Sequence, residues 1–69
     1  MTQKELLYVE DAIGHEENII KILDETINQI EDENLSTFLQ NQVESHTSMK
    51  EKLMNILEVK SNEWSNVNG

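Results

Sequence analysis

The stretch from Leu6 to Ile30, LLYVEDAIGHEENIIKILDETINQI, decides the fold. Leu6, Val9, Ile13, Ile20, Leu23, Ile27 and Ile30 recur in it at steps that are combinations of three and four, the spacing that stacks side chains along one side of an α-helix. No proline interrupts the run, and Gly14 is its only glycine. The stripe breaks once, where a seam hydrophobe is due and Glu16 stands instead. Upstream, Thr2 followed three residues later by Glu5 forms a capping box that opens the helix.

Past Ile30 the segment Glu31-Asp32-Glu33-Asn34 has short polar side chains suited to a turn, and Asp32 or Asn34 is placed to accept the first free amides of a following helix. A second stripe then runs through Leu35, Leu39, Met49, Leu53 and Ile56, broken at Gln42 and His46. The pattern predicts helices over about 3–31 and 35–60, with Lys50, Lys52 and Lys60 late in the second, where cations suit the helix dipole. Residues 61–69 are polar and are expected to fray, with Trp64 continuing the spacing of Leu53, Leu57 and Lys60 over an end of the assembly. Gly14 inside a helix costs about 1 kcal/mol relative to Ala, which leads us to expect a close approach by another group there.

A connection this short makes the two helices antiparallel. Folding the stripes about the turn sets Glu16 opposite Met49 and Ile20 opposite His46, so the acid and the imidazole fall one layer apart, about 5 Å. With 69 residues the chain is one small domain, and domains of this size bury only about 60% of their unfolded surface. Leu7, Ile19, Ile22, Phe38 and Leu57 flank the seam and provide further apolar surface. The expected architecture is therefore all-α: an antiparallel hairpin pairing with a second copy into a homodimeric four-helix bundle.

The formal net charge is −9, from 14 acidic against 5 basic side chains. Phosphate backbones and anionic lipid both repel such a chain, which argues against nucleic acid and membrane surfaces and leaves protein partners or cations. Cysteine is absent, removing disulfides and thiolate chemistry together, and no stretch is apolar enough for a membrane span or a secretory leader. A cytoplasmic location is the expectation that follows.

The polar breaks carry whatever chemistry the sequence offers. A carboxylate on a core stripe costs several kcal/mol unless it is paired or binds a metal, so Glu16 and His46 need a reason. Ferritin-like bundles hold metals at this level with a Glu from each of two helices and a Glu-x-x-His pair from each of the others. Here Glu16 and His46 are candidate metal ligands for Zn or Fe, with His15 and Asp11, one turn apart, in support. Val43 stands three residues before His46, so the bridging carboxylate is missing. The competing reading is an ion pair that fixes register and oligomeric state. Ser45, Thr47 and Ser48 lie near His46 in sequence but on other sides of the helix, and no catalytic constellation is complete.

The run Glu5-Leu6-Leu7-Tyr8-Val9-Glu10-Asp11-Ala12-Ile13-Gly14-His15-Glu16, with Asp32, Leu35, Phe38 and His46, resembles the small clostridial spore-coat-like proteins. The resemblance covers about residues 4–57 and implies a ferritin-like helical hairpin of unassigned activity, linked to sporulation, with Asp11, His15, Glu16 and His46 as the positions to watch. Small two-helix phosphatases of sporulation regulators use a Ser-x-x-x-Asp motif, and no Ser here has Asp four residues later. The expected function is that of a non-enzymatic, self-associating structural or interaction protein, possible spore association included. A metal-binding bundle is the alternative.

Overall fold

The computed structural model describes the backbone of residues 1–68 and the side chains of residues 1–60. Two helices, α1 (Gln3–Ile27) and α2 (Glu33–Asn68), pack side by side as an antiparallel hairpin. The capping box forms as the sequence suggests. Glu5 N donates to Thr2 Oγ1 at 3.1 Å, and Thr2 N donates to Glu5 Oε1 at 2.8 Å.

The boundaries differ from expectation at both inner and outer ends. Helix α1 stops at Ile27 rather than near Glu31, because the amides of Gln29 and Ile30 bond only three residues back, to Thr26 O and Ile27 O, and tighten the last turn. Asp32 then starts α2: Leu35 N donates to its Oδ1 at 2.9 Å and Ser36 N to its backbone oxygen at 2.9 Å. At the far end residues 61–68 continue α2 where a frayed tail was expected, in a segment with no Pro and no Gly before Gly69. Lys60 is therefore not in the last turn, and the dipole argument does not apply to it. The side chain of Trp64 lies outside the described residues. A 36-residue helix is about 54 Å long, and the longest dimension of the molecule is 53 Å, so α2 alone sets the length. Among the described residues no helix is long and apolar enough to cross a membrane.

Half-buried positions form one unbroken alternation of three and four on each helix. On α1 and its exit they are Leu6, Val9, Ile13, Glu16, Ile20, Leu23, Ile27 and Ile30. On α2 they are Ser36, Leu39, Val43, His46, Lys50, Leu53, Leu57 and Lys60, with Ala12, Thr26, Gln42 and Thr47 half-covered at the flanks. This is the heptad seam of a coiled coil. Among the described residues none is fully buried, because a pair of helices covers a seam side chain from one direction only.

The seam of α2 corrects the sequence reading. Leu39 and Leu53 lie in it as expected, but Leu35, Met49 and Ile56 are 43%, 50% and 42% exposed, and Leu57 takes a seam place instead of a flanking one. The cause is an ambiguity of composition. The expected and observed stripes share Leu39, His46 and Leu53; the rejected Leu35 and Met49 are more apolar than Ser36 and Lys50, while at Gln42, read as a break, the seam place goes to Val43 instead.

Each residue advances about 100° around a helix, so positions one before each seam residue lie together on one side. In an antiparallel pair the two such sides coincide. On α1 this side carries Tyr8, Ala12, His15, Ile19, Ile22, Thr26 and Gln29. On α2 it carries Leu35, Phe38, Gln42, Ser45, Met49, Lys52, Ile56 and Val59. Glu5, one before Leu6, belongs to this side by position and is held in the capping box at the start of α1; between Tyr8 and Gln29 and between Leu35 and Val59 no acidic residue stands on it. The opposite side holds Glu10, Glu17, Asp24, Glu31, Glu44, Glu51 and Glu58. The hairpin thus has an acid-free face and an acidic face on either side of a half-covered seam.

Candidate functional site

Glu16 and His46 are seam residues of α1 and α2, and the two helices bring them into contact. His46 Nδ1 lies 2.6 Å from Glu16 Oε2, with the imidazole side chain 30% and the carboxylate side chain 17% exposed. A carboxylate oxygen only accepts, so Nδ1 donates and Nε2 is the ring atom left to meet anything else. The register is closer than expected: Glu16 faces His46 in the same layer, not Met49. Ending α1 at Ile27 places the bend near Glu31 and slides α2 by about one layer.

The supporting residues are not drawn in. Asp11 and His15 are both exposed, and among the described residues no hydrogen bond joins them to each other or to the central pair. Asp11 points away from α2, while His15 sits in the middle of the acid-free face. The described residues contain no group of three or more His, Cys, Asp or Glu side chains able to hold a metal ion. One hairpin therefore offers two candidate ligands, Glu16 and His46, already bonded to each other. The hydroxyls of Ser45, Thr47 and Ser48 make no hydrogen bond to His46 among the described residues.

Sequence reasoning missed the neighbour of this layer. Lys50, one turn after His46, takes the seam place expected for Met49, and its Nζ lies 3.8 Å from Glu17 Oε2. With side chains 30% and 56% exposed, this pair contributes little. Spacing alone does not single it out, because Gln42, His46, Met49, Leu53 and Val43, His46, Lys50, Leu53 both alternate steps of three and four. Beside it an open depression of about 350 Å³ runs along the acidic face, lined by Glu17, Lys21, Asp24, Asn28 and Lys50. Its charges of both signs are solvated and converge on no common point.

Gly14 also departs from expectation. A Cβ built on it meets nothing within 4 Å, so the close approach expected there is not made within the hairpin.

Chemically, the Glu16–His46 pair is a hydrogen-bonded acid and imidazole that ties two helices at one level. Among the described residues none is fully buried, and no group of three His, Cys, Asp or Glu side chains forms around the pair. Comparison with protein-family models, curated proteins and solved structures found no match.

Proposed function

We propose that this chain is a self-associating helical hairpin that acts as a structural or interaction protein rather than as an enzyme. The observation that carries the reading is that no described residue is buried. A lone hairpin leaves both flanks of its seam wet, and a chain of 69 residues gains a closed interior only by adding helices from elsewhere. Glu16 and His46 serve this role as a polar lock: a heptad seam packs almost as well when slid by seven residues, but the acid meets the imidazole in one register only. A place in a spore coat or comparable assembly rests on the resemblance carried by the run from Glu5 to Glu16 with Asp32, Leu35, Phe38 and His46.

The test is the solution mass. At tens of micromolar the protein should sediment as a multiple of the 8.0 kDa chain, and a single species of that mass would end the reading.

The contact of Glu16 with His46 favours one second reading. Two copies would supply two carboxylates and two imidazoles at the middle of a bundle, a donor set suited to Zn or Fe. That reading requires metal in the purified protein and a melting temperature that rises with added Zn²⁺ or Fe²⁺, since a ligand of the native state stabilises it. Elemental analysis without metal, together with an unmoved melting curve, would remove it.

A further inference from the structure

We infer that the acid-free face of the hairpin is the surface on which a second copy of this chain docks, closing a four-helix bundle with both acidic faces outside. The inference rests on the self-association proposed above and assigns it a surface.

The first support is a misfit inside α2. At two places about four turns apart the more apolar neighbour is turned outward while the polar one lies in the seam: Met49 is 50% exposed beside half-buried Lys50, and Leu35 is 43% exposed beside half-buried Ser36. Burying a lysine stem while a methionine stays wet is unfavourable for a hairpin that ends its folding alone. The arrangement makes sense when the outward side is covered in turn.

The second support is area. Of the eleven exposed large hydrophobics among the described residues, eight stand on this face, and Met1, Leu7 and Met54 do not. At their exposures, from 36% to 58%, those eight side chains offer about 700 Å² of apolar surface, close to the roughly 800 Å² that each partner contributes to a stable interface.

Charge and symmetry identify the occupant. A chain of net charge −9 with 14 acids places none of them on this face between Tyr8 and Gln29 or between Leu35 and Val59, so two copies can meet there without opposing carboxylates. The register fixed by Glu16 and His46 puts Ile19, Ile22, Phe38 and Leu35 toward the turn and Tyr8, Ile56 and Val59 toward the open end. His15 and Ser45 lie midway. A two-fold axis through that middle layer brings apolar ends onto apolar ends, whether the turns of the two copies lie together or apart. A partner of different sequence has no such match built in.

The experiment uses matched pairs in the full chain, with sedimentation equilibrium and far-ultraviolet circular dichroism at the same concentrations. Met49→Glu and Met54→Glu make the same change on the same helix at 50% and 47% exposure, and Ile22→Glu and Leu7→Glu do so on α1 at 53% and 55%. Exposure is matched within each pair. Within the hairpin alone Met54→Glu meets Glu51 and Glu58 one turn away, which opposes the ordering expected from docking. Since Leu7 and Ile22 lie near opposite ends of the α1 dipole, the α2 pair decides. Met49→Glu and Ile22→Glu should weaken the dimer at least about tenfold, while Met54→Glu and Leu7→Glu leave it unchanged. Helix loss confined to the first two counts the same way, because it marks folding coupled to docking on that face. Equal effects within both pairs, or dissociation by the second two, would overturn this face while leaving self-association standing. A monomeric wild-type protein would overturn both.

Discussion

Glu16 and His46 occupy seam positions that a leucine would fill more favourably, yet they meet at 2.6 Å and keep 17% and 30% of their side chains exposed. A hydrogen-bonded polar pair in such a place is maintained by mutual satisfaction, so removing one partner and removing both have different signs. Glu16→Ala should lower stability by about 1 kcal/mol in denaturant unfolding, because the imidazole loses its acceptor. Replacing both by Leu should leave stability equal or higher, as exchanges of covered ion pairs for apolar side chains often do. A double variant several kcal/mol less stable than the wild type would mean that the pair is not a seam element at all. The pair was legible from sequence because charge on an apolar stripe stands out. Their shared layer was not, since it depends on where α1 stops, and a few amides around Gln29 decide that. At Gly14 the structure reverses the sequence argument. With open space around a built Cβ and a helical backbone, Gly14→Ala should raise stability by up to about 1 kcal/mol, read as a higher melting temperature.

At the level of the elements, the helices and their starts were readable from period and caps, and their C-terminal ends were not. Thr2 with Glu5 and Asp32 with Leu35 are short-range bonds between residues that the sequence already sets three apart. Asp32→Ala should cost about 1 kcal/mol, with the loss appearing as earlier exchange of the first amides of α2. The Glu5 carboxyl accepts from the Thr2 backbone amide and bonds its hydroxyl, which together hold its pKa below the ordinary 4.5. Its contribution is therefore whole above that value and is lost as pH falls through the lower folded one. In an acid titration followed by NMR, the Thr2 amide signal should move over that range, and a signal indifferent to pH would contradict the box. The seam of α2 was the harder reading. The outward Leu35 and Met49 are more apolar than the inward Ser36 and Lys50, so hydrophobic periodicity alone selects a stripe tilted toward the acid-free face. The residue steps through His46 and Lys50 fit the spacing equally well, but lysine is not a residue that periodicity counts as core.

For the whole molecule, stability and association are one equilibrium if the hairpin closes its interior only with a second copy. The melting temperature should then rise as protein concentration rises, and a value independent of concentration over a hundredfold range would argue for a hairpin stable by itself. Salt should strengthen the pairing modestly, because each partner carries −9 and the acidic faces repel at a distance. The separation of the two faces also limits what can be built from this chain. If the acid-free face takes a second copy, as proposed, growth terminates at a pair, as two magnets that stick by a single pole make a couple and never a chain. Such an object can plug, clamp or cross-link, but it cannot tile a sheet or a shell by its own greasy side. Any extended layer containing it must get its second bond from a different molecule, and a cationic one would suit the rim.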